Sequence, residues 1–310
     1  MSATYKATGI NLKASPLGEY DRLLTILTKE FGLVRAVAPG SRKHQSSLRG
    51  RSGLFVINQL LIVKGRSLDK IIQAESLESF TGLGQDLGKL TAAQYLAELT
   101  LFQALSEQPQ NELYSLLQEH LSRIEQLPRE ATLACLTQGI FHLLALAGLA
   151  PQVHHCCLTN QSLTPASETG RVGFNSKLGG VVLRLQKSFS AADQTAASPL
   201  GSKVEQNLAS SARSGAIAPA ARGHFPTSTD QSTPLNAVEL ALLQQLSKPE
   251  IVRSDGSLLS APADAAQPSV DAWLTVERVL RHYAEYHLER SIRSASLVDS
   301  CFLSSPAFES

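Results

Sequence analysis

The chain has 310 residues, of which 43% are hydrophobic and 18% charged, and its 28 lysines and arginines nearly balance 27 acidic residues. This apolar content excludes a disordered or collagen-like chain, and the length suits one large domain or two to three small ones. The four cysteines follow no disulfide spacing and two are adjacent, which indicates a reducing compartment. The N-terminus shows no signal-peptide pattern and no apolar stretch is long enough to span a membrane, so we expect a cytoplasmic protein without a membrane partner.

Residues 4–80 carry short apolar runs separated by turn signals, which is the pattern of β-strands. We predict strands over residues 5–14, 22–28, 33–38, 54–64 and 70–75. The segment between the third and fourth strands is rich in serine, glycine, arginine and lysine without an apolar period, so residues 39–53 are predicted as a flexible loop. Five strands in so short a segment favour a small barrel, and the five-stranded OB-fold is a common nucleic-acid-binding barrel.

The apolar residues after Phe80 change to spacings of three to five residues, as on one face of a helix. Helices are predicted over residues 87–105, 111–127, 131–149, 236–246 and 270–293. Asn111 is expected to cap the second of them, and the largely apolar run 131–149 is expected to be the central helix of a bundle. The predicted fold class is therefore α+β, with an OB-fold domain over residues 1–80 and a mainly helical domain over residues 81–310.

Two stretches of the second half have a different composition. Residues 188–234 and 254–269 are dominated by Ser, Ala, Gly, Thr, Gln and Pro and hold few large apolar side chains. Such segments bury too little apolar area to offset the entropy of ordering, so we predict disordered or weakly ordered insertions.

Positive charge is concentrated at the start of the chain. Residues 1–80 hold 12 basic and 6 acidic side chains, and residues 31–68 hold no acidic residue. The basic residues of this second stretch are Arg35, Arg42, Lys43, Arg49, Arg51, Lys64 and Arg66. Such a stretch on a small β domain is typical of a surface that binds a polyanion, although a charged loop that serves only solubility gives the same pattern.

Several short motifs resemble one protein family. Residues 18–21 read Gly-Glu-Tyr-Asp, and residues 28–33 read Thr-Lys-Glu-Phe-Gly-Leu. Residues 38–40 read Ala-Pro-Gly and lead into the predicted loop with its basic residues. Together with the segments 65–75 and 281–298, these motifs resemble the bacterial RecO family of recombination mediators. The resemblance implies an OB-fold joined to a helical domain that acts in recombinational DNA repair.

By the same resemblance, we expect the chain to bind single- and double-stranded DNA and to anneal complementary strands coated by single-strand-binding protein. The resemblance also implies work with RecR to load RecA, and it implies no catalytic centre. The seven basic residues of the acid-free stretch become the candidate DNA-binding set. Phe31 and Phe55, the nearest aromatic residues, are expected in the core, so binding should be dominated by phosphate contacts, sensitive to salt and weakly sequence-selective.

Many members of the family that the chain resembles carry two Cys-x-x-Cys pairs that bind a structural zinc ion, which needs four converging ligands. In this chain Cys156 matches the first cysteine, but Thr159 occupies the second position, and Leu183 and Gln186 occupy the positions of the second pair. Cys157 is the other weak candidate ligand. We therefore predict no metal and no cofactor.

The segments that resemble catalytic motifs lack the residues or the spacing that an enzyme would need. The glycine-rich segment 82–90 lacks the spacing and the Ser or Thr of a phosphate-binding loop. His282 and His287 stand at i and i+5, not at the i and i+4 spacing of a zinc-protease helix, and Arg290 and Arg293 are interpreted as the cationic end of that helix. A non-enzymatic DNA-binding mediator is the first hypothesis, and an OB-fold docking adaptor for proteins and an RNA-binding protein are the alternatives.

Overall fold

The computed structural model describes residues 3–165, 172–184, 232–259 and 267–303. Its first part is a closed five-stranded barrel and its second part is mainly helical. The predicted α+β fold class is therefore confirmed.

The barrel strands follow the five predicted runs closely. They are β1 (Thr4–Leu17), β2 (Asp21–Thr28), β3 (Gly32–Ala38), β4 (Val56–Val63) and β5 (Asp69–Ser79). Their order around the barrel is β1-β2-β3-β5-β4, and the long strand β1 pairs with both β2 and β4. All pairs are antiparallel except β3 with β5, which is the arrangement of an OB-fold.

Alternation of side chains along the strands fills the barrel interior. In β3, Val34 and Ala36 are buried, whereas Arg35 between them is exposed. A short helix, α1 (Leu48–Arg51), lies within the segment predicted as a loop, and its Leu48 joins the buried cluster of the barrel. One apolar side chain in an otherwise polar segment gives no periodic signal, which explains why the helix was not predicted.

The helical part begins with a 3₁₀ turn at Thr81–Gln85. Its helices are α2 (Leu87–Gln103), α3 (Asn111–Gln126), α4 (Thr132–Leu146), α5 (Ala237–Gln245), α6 (Val270–Leu288) and α7 (Ser296–Leu303). Helix α4 is buried along nearly its whole length and packs against α2, α3 and α6, so the predicted central helix is confirmed. The prediction that Asn111 caps α3 is wrong, because Asn111 is the first helical residue and Gln110 precedes it without a side-chain cap.

The barrel and the helices share a hydrophobic core. Ile10, Phe55 and Ile57 of the barrel belong to the same buried cluster as Leu96 and Leu99 of α2. Burial of this shared apolar surface holds β1 against α2 and β2 against α3.

A small sheet was missed by the sequence prediction. Its strands are β6 (Val172–Asn175), β7 (Gly180–Leu183) and β8 (Thr233–Leu235), in the order β7-β6-β8. The ring of Phe174 packs edge-on against Tyr283 of α6, with ring centroids 5.6 Å apart. Strands of three or four residues carry too little alternation to be recognised, and β8 follows its partner only after a long low-complexity segment.

The predicted insertions are wrong at their ends. Residues 233–235 form β8, and residues 254–259 form a turn in which the Arg253 guanidinium donates hydrogen bonds to Ser257 Oγ (3.1 Å) and the Leu258 carbonyl (2.8 Å). Leu258 is buried, which supplies the apolar contact that the composition did not suggest. Residues 188–231 and 260–266 of the two predicted insertions lie outside the described residues, whereas residues 267–269 precede α6 and Ser269 caps it.

The last predicted helix is interrupted. Helix α6 ends at Leu288, followed by Glu289 in the left-handed conformation, with a φ of 53°. The carboxylate of Glu98 on α2 accepts hydrogen bonds from the backbone N–H groups of Arg293 (3.1 Å) and Ser294 (2.9 Å). These bonds hold the chain in a non-helical segment before α7, so the interpretation of Arg290 and Arg293 as the end of the helix is wrong.

Two histidines meet between α3 and α4. His120 is buried, and its Nε2 atom lies 3.1 Å from Nδ1 of His142. Burial, together with the nearby His142 and Arg123, lowers the pKa of His120 from 6.5 to about 3. Because the folded-state pKa lies below the unfolded one, His120 costs the folded protein no stability above pH 6.5, and stability is lost as the pH falls from 6.5 towards 3.

We expect the substitution His120→Gln to remove this pH dependence. Between pH 7 and pH 5, the free energy of unfolding of the unsubstituted protein should fall by about 2 kcal/mol more than that of the variant. Urea unfolding at both pH values measures the difference. Glu277 acts in the opposite direction, because burial raises the pKa of its carboxyl group to about 7. In the variant Glu277→Gln, the free energy of unfolding should therefore fall more steeply as the pH is lowered. Parallel pH profiles for the unsubstituted protein and His120→Gln would contradict the assignment.

Candidate nucleic-acid interface

The segment between β3 and β4, residues 39–55, is called the basic loop. It contains no acidic residue. Its first half is tied to the β1–β2 turn: the Asp21 carboxylate accepts a hydrogen bond from Gly40 N (2.7 Å), and Arg42 N donates to the Tyr20 carbonyl (2.9 Å). The Arg42 guanidinium also donates to the Gly18 carbonyl (3.0 Å). The loop therefore lies across the turn in a defined position.

Two buried asparagines hold the second half of the basic loop. Asn11 on β1 donates through Nδ2 to the carbonyls of Arg51 and Gly53, both at 2.8 Å, and Asn58 on β4 donates to Arg51 at 2.9 Å. Arg22 on β2 donates to Ser52 Oγ at 2.8 Å. The expectation of a flexible loop is therefore wrong, because side chains of three strands satisfy its backbone and hydroxyl groups.

The cations of the basic loop face solvent. Arg42, Lys43 and Arg49 are exposed and Arg51 is half-buried. Across the described residues, no ion pair joins an acidic side chain to Arg42, Lys43, Arg49 or Arg51, so these cations can attract an anionic ligand. The arrangement is a positively charged surface on a fixed backbone.

Tyr20 is an aromatic residue of this surface that the sequence prediction did not select. Tyr20 is 48% exposed, and the Lys43 ammonium lies 4.9 Å from the centroid of its ring. Tyr20 is distant in sequence from the basic loop, and the hydrogen bonds between turn and loop bring them together. Of the two aromatics that were predicted to be core, Phe55 is buried, but Phe31 is 37% exposed and packs against Tyr5.

The remaining candidates lie elsewhere on the barrel. Lys64 follows Val63, which pairs with Thr4 at the start of β1. The basic loop instead contacts the turn after Leu17, at the other end of β1. Arg35 and Lys64 line a cavity of about 360 Å³ together with Glu107. Lys64 Nζ lies 3.0 Å from Glu107 Oε1, and this pair raises the pKa of Lys64. Arg66 is exposed in the β4–β5 turn. The seven predicted cations thus form two groups.

In the described residues around Cys156, the neighbouring positions of the expected zinc pattern are held by Thr159 and Leu183. Cys156 is buried and its Sγ accepts a hydrogen bond from Leu183 N at 3.3 Å. Burial raises the pKa of the Cys156 thiol, but hydrogen bonds from Thr159 and from backbone N–H groups outweigh it and leave the pKa lowered. Thr159 and Leu183 therefore stand beside Cys156 where a zinc site would need further ligands. Within the described part of the chain, no three His, Cys, Asp or Glu side chains are grouped so that they could hold a metal ion.

Among the residues that the structure describes, no helix is long and apolar enough to cross a bilayer.

The fold and the site define a class of protein: an OB-fold barrel with an exposed basic loop, packed onto a helical domain. Residues 1–80 match the family model described as recombination protein O N terminal, and residues 84–184 match recombination protein O C terminal. The chain belongs to the RecO family of DNA repair proteins.

Curated relatives match over nearly the whole length. The DNA repair protein RecO of Nostoc sp. (strain PCC 7120 / SAG 25.82 / UTEX 2576) is 52% identical over 314 residues, which cover 97% of both chains. The protein of the same name from Gloeothece citriformis is 50% identical over 97% of this chain and 98% of its own. That of Synechococcus elongatus is 43% identical over 97% of this chain and 96% of its own.

Proposed function

We propose that this chain is a non-enzymatic mediator of recombinational repair that binds single- and double-stranded DNA through the basic loop. One observation carries the proposal: an acid-free loop with three exposed cations is fixed on the rim of an OB barrel in a RecO-family chain. Long cationic side chains on a fixed backbone can neutralise successive phosphates without reading bases. Binding is therefore salt-sensitive and weakly sequence-selective.

The proposed activity is annealing of complementary strands coated by single-strand-binding protein, with RecR as the partner in loading RecA. Membership of the RecO family supports these partners. We place the protein in the cytoplasm, at the nucleoid, and assign it neither a cofactor nor a structural zinc. The substitution of ligand positions by Thr159 and Leu183 supports the metal-free assignment.

The test is binding of the full chain to fluorescent single-stranded DNA across a salt series, followed by annealing of complementary strands coated with single-strand-binding protein. We expect affinity to fall steeply with salt and annealing to be accelerated. Loss of both activities would instead favour the protein-docking adaptor. Stronger competition by matched RNA than by DNA would favour the RNA-binding alternative.

Tyr20 is expected to stack on an unpaired base. Tyr20→Ala should weaken binding of single-stranded DNA by about 5- to 150-fold, since one base stacked on an aromatic ring contributes about 1–3 kcal/mol. Tyr20→Phe should bind as the unsubstituted protein does, and duplex binding should change little because paired bases are not available for stacking. Fluorescence anisotropy with both substrates measures this.

Phe31→Ala is the matched control, because Phe31 is an exposed aromatic outside the basic loop. The salt slope of Tyr20→Ala should equal that of the unsubstituted protein, since no phosphate contact is removed. An equal loss on duplex and single strand would contradict the stacking role.

A further inference from the structure

A groove runs between the barrel and the helical domain. It has a volume of about 840 Å³. Its walls come from β1, the end of the basic loop, α2 and the segment between α6 and α7, and its main side chains are Lys13, Leu54, Leu101, Phe102, Arg290 and Arg293. The function proposed above does not use this groove.

The groove is positively charged. Lys13, Arg290 and Arg293 are exposed. Glu98 is the one carboxylate among the described residues that line it, and its oxygens already accept hydrogen bonds from Arg293 N and from both N (2.9 Å) and Oγ (2.7 Å) of Ser294. Three cations against one carboxylate leave the groove with a net positive charge, which favours an anionic occupant.

The groove also has an apolar side. Leu54 is 39% exposed, and Leu101 and Phe102 are only partly buried. The Arg290 guanidinium lies 5.3 Å from the centroid of the Phe102 ring, which places a cation directly beside an aromatic surface. A groove with cations at its edges and apolar faces beside them suits a chain that alternates charged and flat apolar parts.

The groove is continuous with the basic loop. Leu54 belongs to the loop, and the next residue, Phe55, donates its N–H to the Asn11 carbonyl at 2.9 Å. Asn11 in turn holds the Arg51 carbonyl through its side chain. Lys13 follows two residues later on the same strand, so the last cation of the loop and the first cation of the groove are fixed on neighbouring backbone.

We propose that this groove binds single-stranded DNA as the continuation of a strand that begins on the basic loop, an inference that rests on the proposed function. The three cations contact phosphates, and Leu54, Leu101 and Phe102 contact base faces. A duplex hides its base faces by stacking, so the groove adds affinity for the single strand and contributes little to duplex binding. It also gives the helical domain a direct part in DNA binding.

The experiment compares the full-length protein with a triple variant, Lys13→Gln, Arg290→Gln and Arg293→Gln. Binding is measured with oligothymidylates from about 8 to about 30 nucleotides. The loss should grow with length and reach about tenfold for the longest strand, and the salt slope should fall by about 2, as three lost phosphate contacts predict. A variant with Lys6→Gln, Lys70→Gln and Lys248→Gln has the same net charge and should bind nearly as the unsubstituted protein, because these exposed lysines lie outside the groove.

A second measurement reports contact directly. DNA carrying 5-iodouracil should cross-link to Phe102 on irradiation, and Phe102→Leu should abolish that cross-link while far-ultraviolet circular dichroism shows an unchanged fold. Unchanged affinity of the groove variant at every length, with no cross-link, overturns the inference. If charge reversal of the basic loop still weakens binding in that case, the proposed function stands. If neither set of substitutions matters, the proposed function fails as well.

The groove could also accept an acidic protein segment. A groove variant that binds DNA normally but loses binding of a synthetic acidic peptide would assign the groove to a protein partner. That result would overturn the inference for DNA.

Discussion

Charge reversal of the basic loop, by Arg42→Glu, Lys43→Glu, Arg49→Glu and Arg51→Glu together, is expected to lower the affinity for single-stranded DNA by at least about 100-fold near 0.1 M salt. Each cation that neutralises a phosphate contributes about 0.7 to the salt slope on a single strand, so the slope should fall by about 3. The fold should persist, because Asn11 and Asn58 hold the loop through backbone carbonyls. Anisotropy titrations over a salt series measure both quantities.

The second group of cations supplies the control for this prediction. Reversal at Lys64 and Arg66 should reduce affinity much less, because Lys64 is already paired with Glu107 at 3.0 Å. An exposed pair contributes little to stability, but it does lower the positive potential that a phosphate would meet. Equal losses from the two groups would show that the whole barrel, not the basic loop, attracts DNA.

Gly32→Ala should destabilise the protein by about 3 kcal/mol or more. Gly32 has a φ of 63°, and a Cβ atom there would lie 2.1 Å from the Leu105 carbonyl oxygen and 2.6 Å from that of Gln108. Both obstacles are backbone atoms, and the Leu105 carbonyl accepts a hydrogen bond from Leu33 N at 2.8 Å. The substitution therefore adds left-handed strain and forces the barrel away from the segment that links α2 and α3. Urea unfolding measures the loss.

The variant Gly148→Ala separates the left-handed backbone strain from the steric clash with neighbouring carbonyl groups. Gly148 has a similar φ of 74°, but nothing lies within 4 Å of an added Cβ. The free energy of unfolding of this variant should fall by about 1 kcal/mol, which is the cost of the left-handed backbone conformation alone. A similar loss in both variants would mean that the close approach at Gly32 relaxes and that the barrel is not held rigidly at this point.

Local sequence patterns were sufficient for the large elements. The barrel strands show the two-residue alternation of Val34 and Ala36 with Arg35 between them, and the apolar run that forms α4 shows its burial directly. Each of these patterns lies within a single segment, so it can be recognised without knowing which other element that segment packs against. The elements that failed are short or depend on distant contacts: α1 relies on Leu48 entering the barrel, and β8 relies on pairing with β6.

The features of the candidate site also fall into those that the sequence determines and those that depend on distant contacts. The sequence by itself determined the residue types: an acid-free stretch with seven cations, motifs of the RecO family, and the replacement of zinc ligands near Cys156. Charge and composition are properties of the chain, and folding does not change them. The sequence also determined the order of a strand-rich part followed by a helical part, because each has its own apolar period.

Only the tertiary structure decided which of these residues act together. It joined Tyr20 to Lys43 through the hydrogen bonds between turn and loop, and it paired Lys64 with Glu107. It also placed Arg293 in a groove opposite the barrel, because Glu98 accepts backbone N–H groups that a longer helix would have used within itself. Contacts of this kind join residues far apart in sequence, and their free energy depends on the packing of the whole chain, so no local pattern records them.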